Sequence, residues 1–214
     1  MSTMSKTLLA RPGRLLAAAL SLLALGACSA LSPTATPPPA FYSLDSAPVT
    51  APAPARTAAP TLIINPPRAA AGFDSQRIIY VRESHKLEYF AHSEWIDPPA
   101  RMLGPLLVAA IEQSGAFSAV VLTPGAAGGD LRLDTEIVRL QHEFQTSPSR
   151  VRFTLRAYMV DDKTRRVLAW RQFDAAVDAA SDDPYGGVLA ANGAVQTVLQ
   201  QLSVFCAEAV ASAH

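Results

Sequence analysis

Leu131-Arg132-Leu133-Asp134-Thr135-Glu136-Ile137 and Arg150-Val151-Arg152-Phe153-Thr154-Leu155-Arg156-Ala157-Tyr158-Met159 decide the fold. In the first, Leu131, Leu133, Thr135 and Ile137 alternate with Arg132, Asp134 and Glu136. In the second, Val151, Phe153, Leu155, Ala157 and Met159 alternate with Arg152, Thr154, Arg156 and Tyr158. Successive side chains of a strand point to opposite faces, so a period of two marks strands with one buried and one wet face. Antiparallel sheets read this way, whereas strands of all-parallel sheets are covered on both faces and read as unbroken apolar runs. Asp161-Asp162-Lys163-Thr164-Arg165 is then a hairpin tip. Val167 to Val177 is the return strand, with Trp170 and Phe173 on opposite faces.

Working outward, a one-sided sheet needs a cover. Val188 to Ala211 supplies Ala191, Val195, Val198, Leu199, Leu202, Phe205, Cys206 and Ala209 along one side of a helix, after a loop at Asp182 to Gly187. Ala100 to Ser114 carries Leu103, Leu106, Leu107, Ala110 and Ile111 at helical spacing, with Gly115 as a stop. Asp97 is placed to cap that helix, with Pro98 and Pro99 in its first turn. Pro105 predicts a kink or a detached first turn. Leu62 to Ile64, Arg77 to Arg82 with Leu87 to Phe90 as hairpin partner, and Phe117 to Leu122 read as shorter strands. The order predicts an α+β fold: one domain, residues 61–214, with two helices packed on one face of a mainly antiparallel sheet.

The N-terminus has a different character. Lys6, Arg11 and Arg14 precede an apolar run, Leu15 to Leu25, and no acidic residue occurs before Cys28. A basic segment, a short apolar run and small residues at its end make an export signal, here residues 1–27. Eleven residues are too few for a membrane-spanning helix, which needs about 20. Leu25-Gly26-Ala27-Cys28 resembles the lipobox of bacterial lipoproteins, which implies that Cys28 is acylated and becomes the first residue of the mature chain. Ser29 follows in place of the Asp that retains lipoproteins on the inner membrane in enterobacterial-type sorting. The expected address is therefore the periplasmic face of the outer membrane. Residues 28–60 are a Pro/Ala-rich tether, interrupted by Phe41-Tyr42-Ser43-Leu44-Asp45, which reads as a short docking strand.

Charge excludes some partners. Lys plus Arg equal Asp plus Glu at 18 each, and residues 1–27 hold three of the bases and none of the acids, leaving 15 against 18 in the mature chain. That balance does not suggest nucleic acid. With Cys28 acylated, Cys206 has no intrachain partner and reads as a small buried hydrophobe.

No catalytic constellation is legible. His85, His92, His142 and His214 lack metal spacing, and each reads as a solvated or hydrogen-bonded histidine. His142 and Glu143 are neighbours on a strand and so face opposite ways. Asp161-Asp162 and Asp182-Asp183 sit in turns, where Asp is expected for backbone reasons. No nucleophile elbow, zinc-protease motif or phosphate loop occurs, and no cofactor or metal is expected. Two features could bind a partner. Arg150, Arg152 and Arg156 share one strand face, followed in the hairpin partner by Arg165, Arg166 and Arg171; Asp134, Glu136 and Asp174 are available to neutralise them. Arg132 and Arg139 differ in parity, which predicts opposite faces. Trp95, beside a helix start, is either a core aromatic or an exposed anchor.

The lipobox, the Pro-rich tether, Phe41-Tyr42-Ser43-Leu44, Ile78-Ile79-Tyr80-Val81-Arg82 and Glu94-Trp95-Ile96-Asp97-Pro98 entering a helix occur in an order that resembles the ABC-type transport auxiliary lipoproteins. The resemblance covers most of the mature chain. It implies a non-enzymatic periplasmic partner of an MCE-domain protein and its ABC permease and ATPase. Such a system moves phospholipid or related hydrophobic substrates between membranes. A homo-oligomer is compatible with that role. Two other classes stay open: a lipid- or ligand-binding carrier, with an apolar cavity between helices and sheet, and an outer-membrane assembly or secretion lipoprotein.

Overall fold

A computed structural model describes residues 38–45, 59–124 and 128–212. The export signal, Cys28, most of the tether and His214 lie outside the described residues. Pro39–His214 forms one compact unit. Its elements are β1 (Ala40–Tyr42), β2 (Thr61–Ile64), β3 (Arg68–Ala69), β4 (Arg77–Val81), β5 (Glu88–Trp95), α1 (Pro99–Glu112), β6 (Ala119–Leu122), β7 (Leu131–Glu143), β8 (Arg150–Asp161), β9 (Val167–Asp178) and α2 (Pro184–Ser212). The fold is α+β, as the alternation predicts.

The long strand β7 is the spine of the sheet. One of its edges pairs with β8 antiparallel along nearly its full length, and β8 pairs antiparallel with β9. The other edge is shared by three short parallel strands: β2 at Leu131 to Leu133, β3 at Glu136 and Ile137, and β4 at His142 and Glu143. Pro66 and Pro67 separate β2 from β3, because neither can donate to a ladder. Beyond β2 lies β6, parallel; beyond β4 lies β5, antiparallel, and then β1, parallel to β5. The extensive ladders are thus antiparallel and the short ones mostly parallel.

The strand at 131–137 runs on to Glu143, further than its alternation extends. The register shifts between Ile137 and Arg139. Val138 is the extra residue, and such a bulge resets which parity faces inward. Buried Leu131, Leu133, Thr135 and Ile137 give way to buried Leu140 and His142. Arg139 therefore shares the outer face with Arg132, which corrects the parity expectation. β5 also exceeds its predicted length and continues through His92 to Trp95. Its small and polar residues hide a strand that is sandwiched between β4 and β1.

Both helices lie on one face, α1 over β2, β3 and β6 and α2 over β7, β8 and β9. A single core joins them, from Leu62 and Ile64 through Leu103, Leu107, Phe153 and Leu155 to Val198 and Leu202. Asp97 does not cap α1. Pro98 is the N-cap and makes no side-chain bond, while Asp97 pairs with Arg101 at 2.9 Å. Pro105 leaves α1 continuous. Its ring is exposed, so the carbonyl it leaves unpaired at Arg101 faces water, where little is lost. α2 begins at Pro184, earlier than Gly186-Gly187 suggest. Asp183 is its cap: the Gly186 N–H donates to Asp183 Oδ1 at 2.7 Å, with proline at N1. These backbone bonds hold the Asp183 carboxyl below its usual pKa.

Candidate functional site

Among the described residues, no helix covers the face of the sheet opposite α1 and α2. On β7 it presents Arg132, Asp134 and Glu136 and then, past the bulge, Arg139, Gln141 and Glu143. On β8 it presents Arg150, Arg152, Thr154, Arg156 and Tyr158, and on β9 Trp170, Gln172 and Asp174. The three arginines singled out in the sequence do come together here. Arg150 Nε lies 3.1 Å and Arg152 Nε 3.2 Å from the Glu143 carboxylate, Arg152 Nη1 is 2.7 Å from Asp174, and Arg156 Nη1 is 3.5 Å from Glu136. Arg132 bridges Asp134 and Asp162 at 3.3 and 2.8 Å. Acids and bases interleave across the strands, so the face carries no net basic field. Glu143, only 6% exposed beneath two arginines, is the tightest node. Arg165 pairs with Asp162 at the hairpin tip, and Arg171 turns to the helix side, over the Phe205 ring and 3.4 Å from Glu208.

Trp95 and the arginines are not one site. Trp95 is 3% exposed and belongs to the core, beside Ile78 and Leu140, so it offers no surface to a partner. The exposed tryptophan is Trp170, at 62%, stacked on Tyr158 with ring centroids 6.4 Å apart. Val167 and Leu168 are also exposed nearby. Among the described residues β9 pairs with β8 alone, so this cluster sits on an open sheet edge. The signal for Trp170 was in the sequence: it shares parity with Gln172 and Asp174, and Phe173 with Ala175. Trp95 has no such polar partner on its inward parity except Ser93.

The buried polar groups make a second cluster. His142 is 2% and Ser149 1% exposed. Ser149 Oγ lies 2.8 Å from His142 Nε2 and is closely bonded to Asp182 Oδ1. A carboxylate can only accept, so the serine proton points to Asp182 and His142 donates its Nε2–H to the serine oxygen. The serine stands between acid and imidazole, whereas nucleophile activation requires the imidazole in the middle. His142 Nδ1 is buried without a partner. It faces Gly187, where a Cβ would come within 2.6 Å. Burial lowers the His142 pKa against the opposing charges of Asp182 and Asp183. Cys206 is wholly buried, and burial pushes its thiol up to about 12. No group of His, Cys, Asp or Glu among the described residues is arranged to hold a metal ion.

A void between α2 and the sheet, among Ile78, Trp95, Leu140, Val151 and Ala191, is about 10 Å³, at the limit for one water. A surface groove between α1 and α2 has a volume of about 320 Å³.

Comparison with known proteins places this arrangement. No curated protein matches the chain. The crystal structure of protein XCC0632 from Xanthomonas campestris, family-model DUF330, is 23% identical, covers 79% of this chain and 95% of its own, and superposes with a TM-score of 0.69. A crystal structure described only as an uncharacterized protein is 13% identical, covers 80% of this chain and 97% of its own, and gives 0.59. At these identities the likeness is one of fold. The family model for the ABC-type transport auxiliary lipoprotein component matches residues 42–203, from β1 to the sixth turn of α2. Every element built above falls within or against that span, and the chain belongs to the family of ABC-type transport auxiliary lipoprotein components.

Proposed function

We propose that this chain is a non-enzymatic docking lipoprotein of an ABC/MCE-type transport system. Acyl chains on Cys28 hold it at the periplasmic face of the outer membrane. There it binds an MCE-domain protein linked to an ABC permease and ATPase, and phospholipid or a related hydrophobic substrate passes between the membranes. The observation that carries the reading is the family match across residues 42–203, most of the folded domain. The outer sheet face, with its matched charges and Trp170 at an open edge, is the surface proposed to meet the partner. Aromatic side chains are the usual anchors of such contacts.

The test is detergent pull-down of the full-length lipidated chain, followed by mass spectrometry. Recovery of an MCE-domain protein with its permease is expected. Recovery of a secretion channel alone would sink the transport reading. Trp170→Ala should cut recovery about 30-fold, the effect of losing a hot spot of about 2 kcal/mol, with the thermal midpoint unchanged. Full recovery with the alanine variant would remove Trp170 from the interface.

A further inference from the structure

The edge of β9 is long and unguarded. Among the described residues β9 pairs with β8 alone. The N–H and C=O groups that point away from β8 form a ready row for another strand, and natural edges are blunted by proline, lysine or a bulge. β9 has one bulge, at Leu168, where the register shifts between Ala169 opposite Met159 and Val167 opposite Val160. From Ala169 to Val177 the ladder to β8 is unbroken, and the stretch contains neither proline nor lysine. Its charged side chains are drawn aside: Asp174 lies 2.7 Å from Arg152, and Arg171 reaches Glu208 of α2 at 3.4 Å. On the helix side a concavity of about 310 Å³ among Leu168, Arg171, Phe205 and Glu208 leaves room beside the edge.

We propose that a second copy of this chain pairs here, β9 against β9, antiparallel about a two-fold axis at Phe173. An axis perpendicular to the sheet keeps both outer faces on one side, so each residue meets one of its own parity. The unbroken stretch Ala169 to Val177 is symmetric about Phe173, so all of it can pair. Trp170, 62% exposed, then lies opposite the small Ala176 of the second copy. Gln172 lies opposite Asp174. Its Oε1 accepts from Arg156 Nη2 at 3.2 Å, so its amide N–H groups are left to donate to that carboxylate. Arg171 lies opposite the small Ala175 and keeps its place beside Glu208. The symmetry makes each of these contacts twice.

Neighbouring registers fit worse. An axis at Arg171 sets two arginines directly opposite each other, and one at Asp174 sets two aspartates so; opposed like charges are destabilising. An axis at Gln172 puts Trp170 against Asp174. The pattern of charge and size along β9 thus selects the Phe173 axis, and with it the chain's own strand as occupant. The pairing sets the outer faces of two sheets side by side, so the surface proposed to meet the transport partner is extended and not consumed.

Disulfide formation in the full lipidated chain tests the register. Trp170→Cys in one sample and Ala176→Cys in another place thiols at exposed positions. Mixed under an added oxidant, the two should give a cross-linked dimer at least about tenfold faster than either sample alone, as expected for thiols held at high effective concentration. In this register positions 170 and 176 are opposed, whereas each lies about 20 Å along the strands from its own copy. Cys206 does not compete, because its thiol is buried. Equal rates in the three samples overturn the proposal, and so does the absence of a cross-link, the outcome if the edge takes a strand of a different protein. Gln172→Glu, added to both samples, keeps the acceptor for Arg156 and sets a carboxylate opposite Asp174 on both sides of the axis. It should slow the mixed reaction about tenfold at low salt and less at high salt. An unchanged rate would also overturn the proposal. Neither result depends on which transport partner the domain binds.

Discussion

Ser149→Ala isolates the buried node beneath α2. The Ser149 hydroxyl accepts from His142 Nε2 at 2.8 Å and donates to Asp182. Removing it strands the histidine N–H in a site 2% exposed, and a buried unsatisfied donor costs about 1–3 kcal/mol. Asp182 is exposed and recovers most of its loss by hydration, leaving about 0.5–1 kcal/mol for the bond itself. The variant should therefore be less stable by about 1.5–4 kcal/mol. The ring cannot rotate to find another acceptor, because Gly187 closes the Nδ1 side. Urea unfolding followed by far-UV circular dichroism reads the change as a lower midpoint at unchanged slope. A loss below about 0.5 kcal/mol, the range of an ordinary surface substitution, would refute this hydrogen-bond assignment.

Three other outcomes follow from the same geometry. His142 is neutral in the fold and its pKa lies below the ordinary 6.5; the unfolded chain binds the proton first, so stability is full above that value and falls as pH drops below it. His142→Gln should flatten that slope in midpoint-against-pH curves, and an unchanged slope would assign it elsewhere. Glu143→Gln removes the charge shared by Arg150 and Arg152; with both arginines part-exposed, the loss should be about 1–2 kcal/mol and shrink in high salt, and a salt-independent loss would contradict an electrostatic cause. Cys28→Ala should release the protein from membranes with its midpoint unchanged, and retention after a high-salt wash would refute the acyl anchor.

The parts legible in the sequence are those where one physical signal dominates. Alternation at 131–137, 150–159 and 167–177 gave strands, wet face and hairpin, because helices bury one face and, among the described residues, none covers the other. The apolar stripe of α2 was equally plain. What escaped was non-local or irregular. Val138 inverts parity mid-strand, so Arg139 was put on the wrong face and the end of β7 lost its pattern. β5 was cut short because its far end is held by pairing, Ser93 to Trp95 with β1 and Glu94 with β4 as well, not by propensity. The parallel ladders to β7 depend on partners far along the chain, which no local window contains. Of the site, the arginine face was visible and its neutralisation partly so, but Glu143 escaped as the main counter-charge. Trp95 drew notice for its position beside a helix, while parity already marked Trp170 as the outward one.

β1 is three residues long, yet any tension in the chain before Ala40 enters the domain through it. Ala40 to Tyr42 pair in parallel with Ser93 to Trp95 of β5. Leu44 in the core and the Asn192 clamp on Asp45 stand behind them as a second hold. A pull on the chain at Ala40 would thus be borne by β5 first and by α2 next, the two elements that hold residues 40–45.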